Sequence, residues 1–119
     1  MQEVLEPILG DLQRPRPIDV IVELEPRDTG GLVWFSERGQ PGSFGLGLPD
    51  PATPRAALLA GCADQLQEQF FPETHGAWGE ARPECSGHPH PAQAIERDGE
   101  AWWVCPTDGR PLAPIGHLH

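Results

Sequence analysis

Cys85, His88, His90 and Cys105 are the residues of this 119-residue chain whose types and spacing suit metal chemistry. They fall in Cys85-Ser86-Gly87-His88-Pro89-His90-Pro91 and, fifteen residues after His90, in Cys105-Pro106-Thr107-Asp108-Gly109. Two thiolates and two imidazoles fit tetrahedral zinc, whose structural sites commonly take Cys₂His₂ ligation. Sulfur and imidazole donors also favour zinc over magnesium or calcium. Asp108 competes for the fourth place, because Cys-Pro-x-Asp-Gly has the outline of a zinc knuckle with its second thiolate replaced by a carboxylate. His90 ranks ahead of it. The bland alternatives are free thiols or a disulfide for the cysteines and solvated loop positions for the histidines. Two Cys and two His within 21 residues weigh against both.

Convergence of the four requires a scaffold, and the intervening sequence supplies a hairpin. Asp98-Gly99 is a strong hairpin signal, since a two-residue type I′ turn needs positive φ at both central positions. With that turn, Arg97 faces Glu100, Ile95 faces Trp102 and Ala92 faces Cys105. Residues 88, 90 and 92 then share one strand face, and faces match across an antiparallel pair, so Cys105 joins them. Cys85 arrives from the preceding turn. Trp102 and Trp103 alternate faces, which predicts that at least one packs in the core.

Cys85-x-x-His88 and Cys105-Pro-x-x-Gly109 flanking a β-hairpin resemble a zinc ribbon, and Cys-x-x-His-x-His-Pro with Trp-x-Cys-Pro is similar to small uncharacterised proteins of high-GC bacteria. The resemblance covers about the last 35 residues. It departs from the usual ribbon in carrying His88 and Asp108 where each knuckle ordinarily ends in cysteine. What it implies is a structural ion and a contact surface for a protein or nucleic acid, with no catalytic residue. The absence of Lys, Asn and Tyr agrees with GC-rich coding.

Other chemistry finds little support. A catalytic zinc needs an open coordination position and a base such as the glutamate of His-x-Glu or His-Glu-x-x-His, and neither pattern occurs. The zinc deaminase signature, Gly-x-Ser-x-Gly, a phosphate loop and Gly-x-Gly-x-x-Gly are likewise absent. No catalytic or organic-cofactor residue is assigned. Cys62 falls on an apolar helix stripe and reads as a small buried hydrophobe. His75 is a lone loop residue, and His117 and His119 sit at the chain end, where disorder is expected.

The elements behind the site form an α+β pattern. Val4, Leu5, Ile8, Leu9 and Leu12 recur at helical spacing over residues 2–12, interrupted by Pro7. After Arg14-Pro15-Arg16-Pro17, Ile18, Val20, Val22 and Leu24 alternate with Asp19, Ile21, Glu23 and Glu25, the period of a strand with one buried face. Leu32 to Phe35 and Phe44 to Leu48 complete a three-stranded antiparallel meander. Asp50-Pro51 and Thr53-Pro54 offer helix caps, and Leu59, Cys62, Leu66 and Phe70 mark a long helix from Pro54 to Phe71, laid across the meander and stopped by Pro72. The expected organisation is an α+β core over 1–72, a linker over 73–84 pinned by Trp78, and a zinc-ribbon-like hairpin unit over 85–119 packed on the core.

Composition narrows the partners. Eight Lys+Arg, all of them Arg, against 18 Asp+Glu give a net charge of -10, which argues against nucleic acid. The same charge is repelled by anionic lipid, and no apolar run reaches spanning length, so a membrane is not expected either. Residues 1–10 lack the basic start and apolar middle of a signal peptide, and three cysteines are an odd number, so the expectation is a cytoplasmic chain with reduced thiols. Gly 14 and Pro 15 predict a loop-rich fold, and four Trp and four Phe a packed one. The leading functional expectation is a non-enzymatic binding or scaffold protein with a structural Zn2+ site and a basic protein partner. The alternatives are an inhibitor or immunity-type protein that mimics a polyanion and, more weakly, a metallohydrolase with an open zinc site at Cys85, His88 and Cys105.

Overall fold

A computed structural model describes residues 2–13, 17–25, 32–47, 50, 52–74, 82–83, 85 and 90–118. Most of the expected linker, with Trp78 and His75, lies outside these residues, as do Leu48, His88 and His119.

The chain is α+β, with two helices and two three-stranded antiparallel sheets among the described residues. Helix α1 (Gln2–Leu12) buries Val4, Leu5, Ile8 and Leu12, the stripe that its sequence carries. Pro7 sits inside it and removes one backbone donor. Strands β1 (Val20–Leu24), β2 (Leu32–Glu37) and β3 (Phe44–Gly47) form the first sheet in the order β1-β2-β3. Its register places Val22 opposite Phe35, Leu24 opposite Val33, and Val33 opposite Leu46, so these apolar residues share the core-side face. Burial along β1 nevertheless stops short of its end. Val22 is 38% exposed and Leu24 54%, because this outer strand overhangs the core.

Helix α2 (Arg55–Gln65) continues as a π-helical turn over Leu66–Phe70 and a 3-10 turn over Phe71–Glu73. The wider turn lets both Phe70 and Phe71 enter the core, where their rings meet edge to face at 5.0 Å. Pro72 therefore sits within the closing 3-10 turn, after the regular α-helix has already ended. No side chain caps the helix start: Pro54 is the N-cap residue, and the Asp50 carboxylate accepts from Ala52 N instead. The helical segment meets the meander through Phe70, whose ring lies 5.7 Å from Phe35 and 6.4 Å from Phe44. Its body also packs against α1 and the C-terminal sheet.

That second sheet comprises β4 (Gln93–Arg97), β5 (Glu100–Val104) and β6 (Pro111–Pro114) in sequence order. Asp98 at φ 53° and Gly99 at φ 80° form the β4–β5 turn, and Arg97 pairs with Glu100, Ile95 with Trp102 and Gln93 with Val104, the register that the Asp-Gly pair dictates. Trp103 is fully buried and Trp102 half-buried. The inward side chains beside Trp103 are small, Ala92, Ala94 and Ala101, which lets α2 approach closely. Strand β6 was not apparent from a segment bounded by two prolines; it is an outer strand, where proline is tolerated, and its pairing with β5 shifts between Trp103 and Val104. The segment at 116–118 is tied to α1, since Leu118 N donates to Asp11 Oδ1 (3.2 Å), although the His117 side chain is exposed. No described helix is long and apolar enough to cross a membrane.

Candidate metal centre

Two backbone loops meet at the end of the second sheet. In the first, Ala92 N donates to Pro83 O (2.8 Å) and Cys85 N to His90 O (3.1 Å), so Pro83 and Cys85 are paired with Ala92 and His90, and Cys85 is set beside His90. In the second, between β5 and β6, Cys105 N donates to Arg110 O and Gly109 N returns to Cys105 O, each at 2.8 Å. Gly109 closes this turn at φ 74°, a left-handed conformation that favours glycine.

The two loops bring Cys85 Sγ, Cys105 Sγ and a ring nitrogen of His90 to within 4.8 Å of one another. Donors about 2.0–2.3 Å from a tetrahedral zinc lie roughly 3.4–3.8 Å apart, so small side-chain rotations would complete three of its bonds. Both cysteines are fully buried and His90 is half-buried.

The imidazole is held on both sides: His90 Nδ1 lies 3.2 Å from the Pro91 carbonyl oxygen, and Nε2 lies 3.2 Å from Thr107 Oγ1. Burial pushes the Cys85 thiol up from its ordinary 9.0; the hydrogen bond with Cys105, that residue's charge and Asp108 push the same way, while Arg110 opposes them. Proton and metal therefore compete for this sulfur.

Of the residues expected at the site, Cys85, His90 and Cys105 converge and His88 lies outside the described residues. Asp108 is not one of the converging donors; its Oδ1 accepts from Arg110 N at 2.8 Å and shapes the β5–β6 turn. Cys62 is buried on α2, and that burial raises its thiol, in keeping with an inert residue. None of the three cysteines forms a disulfide.

Two supporting residues escaped the sequence reading. Gln67, in the π-helical turn, donates through Nε2 to Arg82 O (3.0 Å) and to Ala92 O, clamping both arms of the Cys85–His90 loop to the helix. Arg82 Nη1 extends the clamp to Leu12 O at 2.7 Å. No protein-family model matches this chain, nor does any curated protein or solved structure. The cluster can hold a metal ion, and its donor set of two sulfurs and one imidazole selects soft or borderline metals.

Proposed function

We propose that this chain is a small acidic binding or scaffold protein, working in the cytoplasm by contact, whose zinc-ribbon-like C-terminal sheet is locked by one structural Zn2+ ion. Cys85, His90 and Cys105 supply three ligands, and His88 supplies the fourth. One observation carries this reading: three soft or borderline donors, contributed by two separate loops, lie within 4.8 Å. An ion there would join the 83–92 loop to the β5–β6 turn and substitute for apolar core that a domain of this size is short of. The net charge of -10 favours a partner with a basic surface and raises the association rate at low salt.

The test is zinc per chain by elemental mass spectrometry on protein purified without a histidine tag or nickel column, with thermal melts before and after strong chelation. The reading requires about one equivalent of zinc and a lower melt once it is removed. Metal-free protein that gains no stability on zinc addition would overturn it.

A further inference from the structure

Strand β1 has β2 on one side and, among the described residues, no strand on the other. Arg38 N donates to Asp19 O and Glu25 N to Leu32 O, each at 2.9 Å. Hydrogen-bonded pairs alternate along an antiparallel ladder, so Asp19, Ile21, Glu23 and Glu25 turn their backbone groups toward β2, and Val20, Val22 and Leu24 turn theirs outward. No hydrogen bond takes up these outward N–H and C=O groups among the described residues. The opening begins past Ile18, whose N–H is taken by the Gln13 side chain. At its far end both faces are uncovered, since Val22, Glu23 and Leu24 are all exposed.

Two other outer strands are guarded. Strand β6 carries Pro111 and Pro114, and β3 has four residues, two of them glycine. The Val-Ile-Val-Glu-Leu of β1 holds no proline or basic residue to discourage a neighbour.

We propose that the edge of β1 receives an extended segment of a basic partner protein, which adds to the sheet as a further strand with apolar and basic residues in alternation. The outward groups of Val20, Val22 and Leu24 supply the backbone hydrogen bonds. Apolar residues of the partner meet Val22 and Leu24 on one face, and a basic residue meets Glu23 on the other, where opposite charges attract across the pair. Glu23 is the carboxylate left for this. Asp19 is held by Arg38 at 2.8 Å and Glu25 accepts from Leu32 N at 3.3 Å, whereas Glu23 makes no hydrogen bond or ion pair among the described residues. A second copy of the chain is the poorer occupant: antiparallel pairing centred on Val22 sets Asp19 opposite Glu25, and sliding it either way sets Glu23 opposite Asp19 or opposite another Glu23. The proposal deepens the contact reading above, resting on its basic partner and on none of its zinc.

Titration with the blocked peptide Thr-Val-Arg-Val-Arg-Val-Thr, followed by amide NMR shifts and hydrogen exchange, tests this. Two controls run beside it, the same peptide N-methylated at its valines and one with glutamate in place of arginine. The expected result is slowed exchange at the Val20, Val22 and Leu24 amides, with both controls binding at least about tenfold more weakly. Glu23→Gln should weaken the arginine peptide about threefold. Val22→Pro, which removes one outward donor and spares the bonds to β2, should weaken it about tenfold. Zinc content and the chelation melt are read on the same samples, so failure of the zinc reading and failure of this one are told apart. Shifts spread over the acidic surface would keep a basic partner but remove it from β1. That result, unchanged exchange at the three amides, equal binding of either control, full affinity in both variants, a dimer formed through this edge without peptide, or no binding at all would each overturn the assignment.

Discussion

Trp103 Nε1 donates to Asp11 Oδ2 at 2.7 Å, joining strand β5 to helix α1 across 92 residues of chain. Asp11 is itself buried, and its carboxylate also accepts from Gly116 N and from Leu118 N. One side chain thus fastens the first helix to the middle and the end of the second sheet. Asp11→Ala would leave the indole N–H and two backbone donors without their acceptor, so it should destabilise the fold by about 2–4 kcal/mol. Urea unfolding followed by tryptophan fluorescence measures this, and Asp11→Asn, which keeps one acceptor oxygen, should fall between the two.

Removing a metal-binding thiol should matter more than removing an ordinary buried one. In zinc-loaded protein, Cys105→Ser should lower the Tm by more than Cys62→Ser. After chelation, that excess should vanish. Parallel thermal melts of the two variants with and without chelator decide the matter, and the reverse order in loaded protein would count against ligation by Cys105.

Zinc affinity should rise with pH. Burial and Cys105 hold the Cys85 thiol above its ordinary 9.0, so the ion displaces a proton on binding, and each proton displaced contributes about tenfold in affinity per pH unit. Competition against a chromophoric chelator between pH 6 and 8 reads the slope. The metal-free protein has the opposite dependence at alkaline pH. Its Cys62 and Cys85 thiols keep their protons above pH 9.0, where those of the unfolded chain are lost, so the native state binds more protons and stability declines as pH rises past that point. Melts of chelated protein from pH 7 to 10 should show the decline.

Two glycines should respond in opposite directions to alanine. Gly116 has φ 100°, and a Cβ there would lie 2.7 Å from Cβ of Pro7, so Gly116→Ala should destabilise by about 2 kcal/mol or more. Gly61 is exposed on α2 with open space around its Cβ position, so Gly61→Ala should stabilise by about 0.5–1 kcal/mol. Denaturant midpoints of the two variants check both signs.

The second sheet was the most legible part of the sequence, because Asp98-Gly99 dictates a turn whose two positive φ values fix the pairing of every residue from Gln93 to Val104. That register predicted the approach of His90 to Cys105. It was silent on Cys85, whose place depends on hydrogen bonds between 83–85 and 90–92, and on Gln67, whose clamp joins residues 15 and 25 positions apart. Helix α2 was legible as a stripe, yet its π-helical turn was not, since neighbouring Phe70 and Phe71 fit either a stripe ending at one of them or a wider turn that buries both. Strand β6 was hidden by Pro111 and Pro114, which oppose strand propensity and are accommodated only because the strand lies at the sheet's edge.

The overhang of β1 leaves apolar side chains on an outer strand that is flanked by carboxylates. An outer strand with Val22 and Leu24 uncovered is a template on which another copy could align and begin aggregation. Asp19, Glu23 and Glu25 stand along that strand and just beyond its ends, and the whole chain carries -10, so like copies repel one another before their backbones can pair. Acid or concentrated salt weakens that repulsion, and light scattering under either condition should then show self-association, with Val22→Lys on β1 suppressing it.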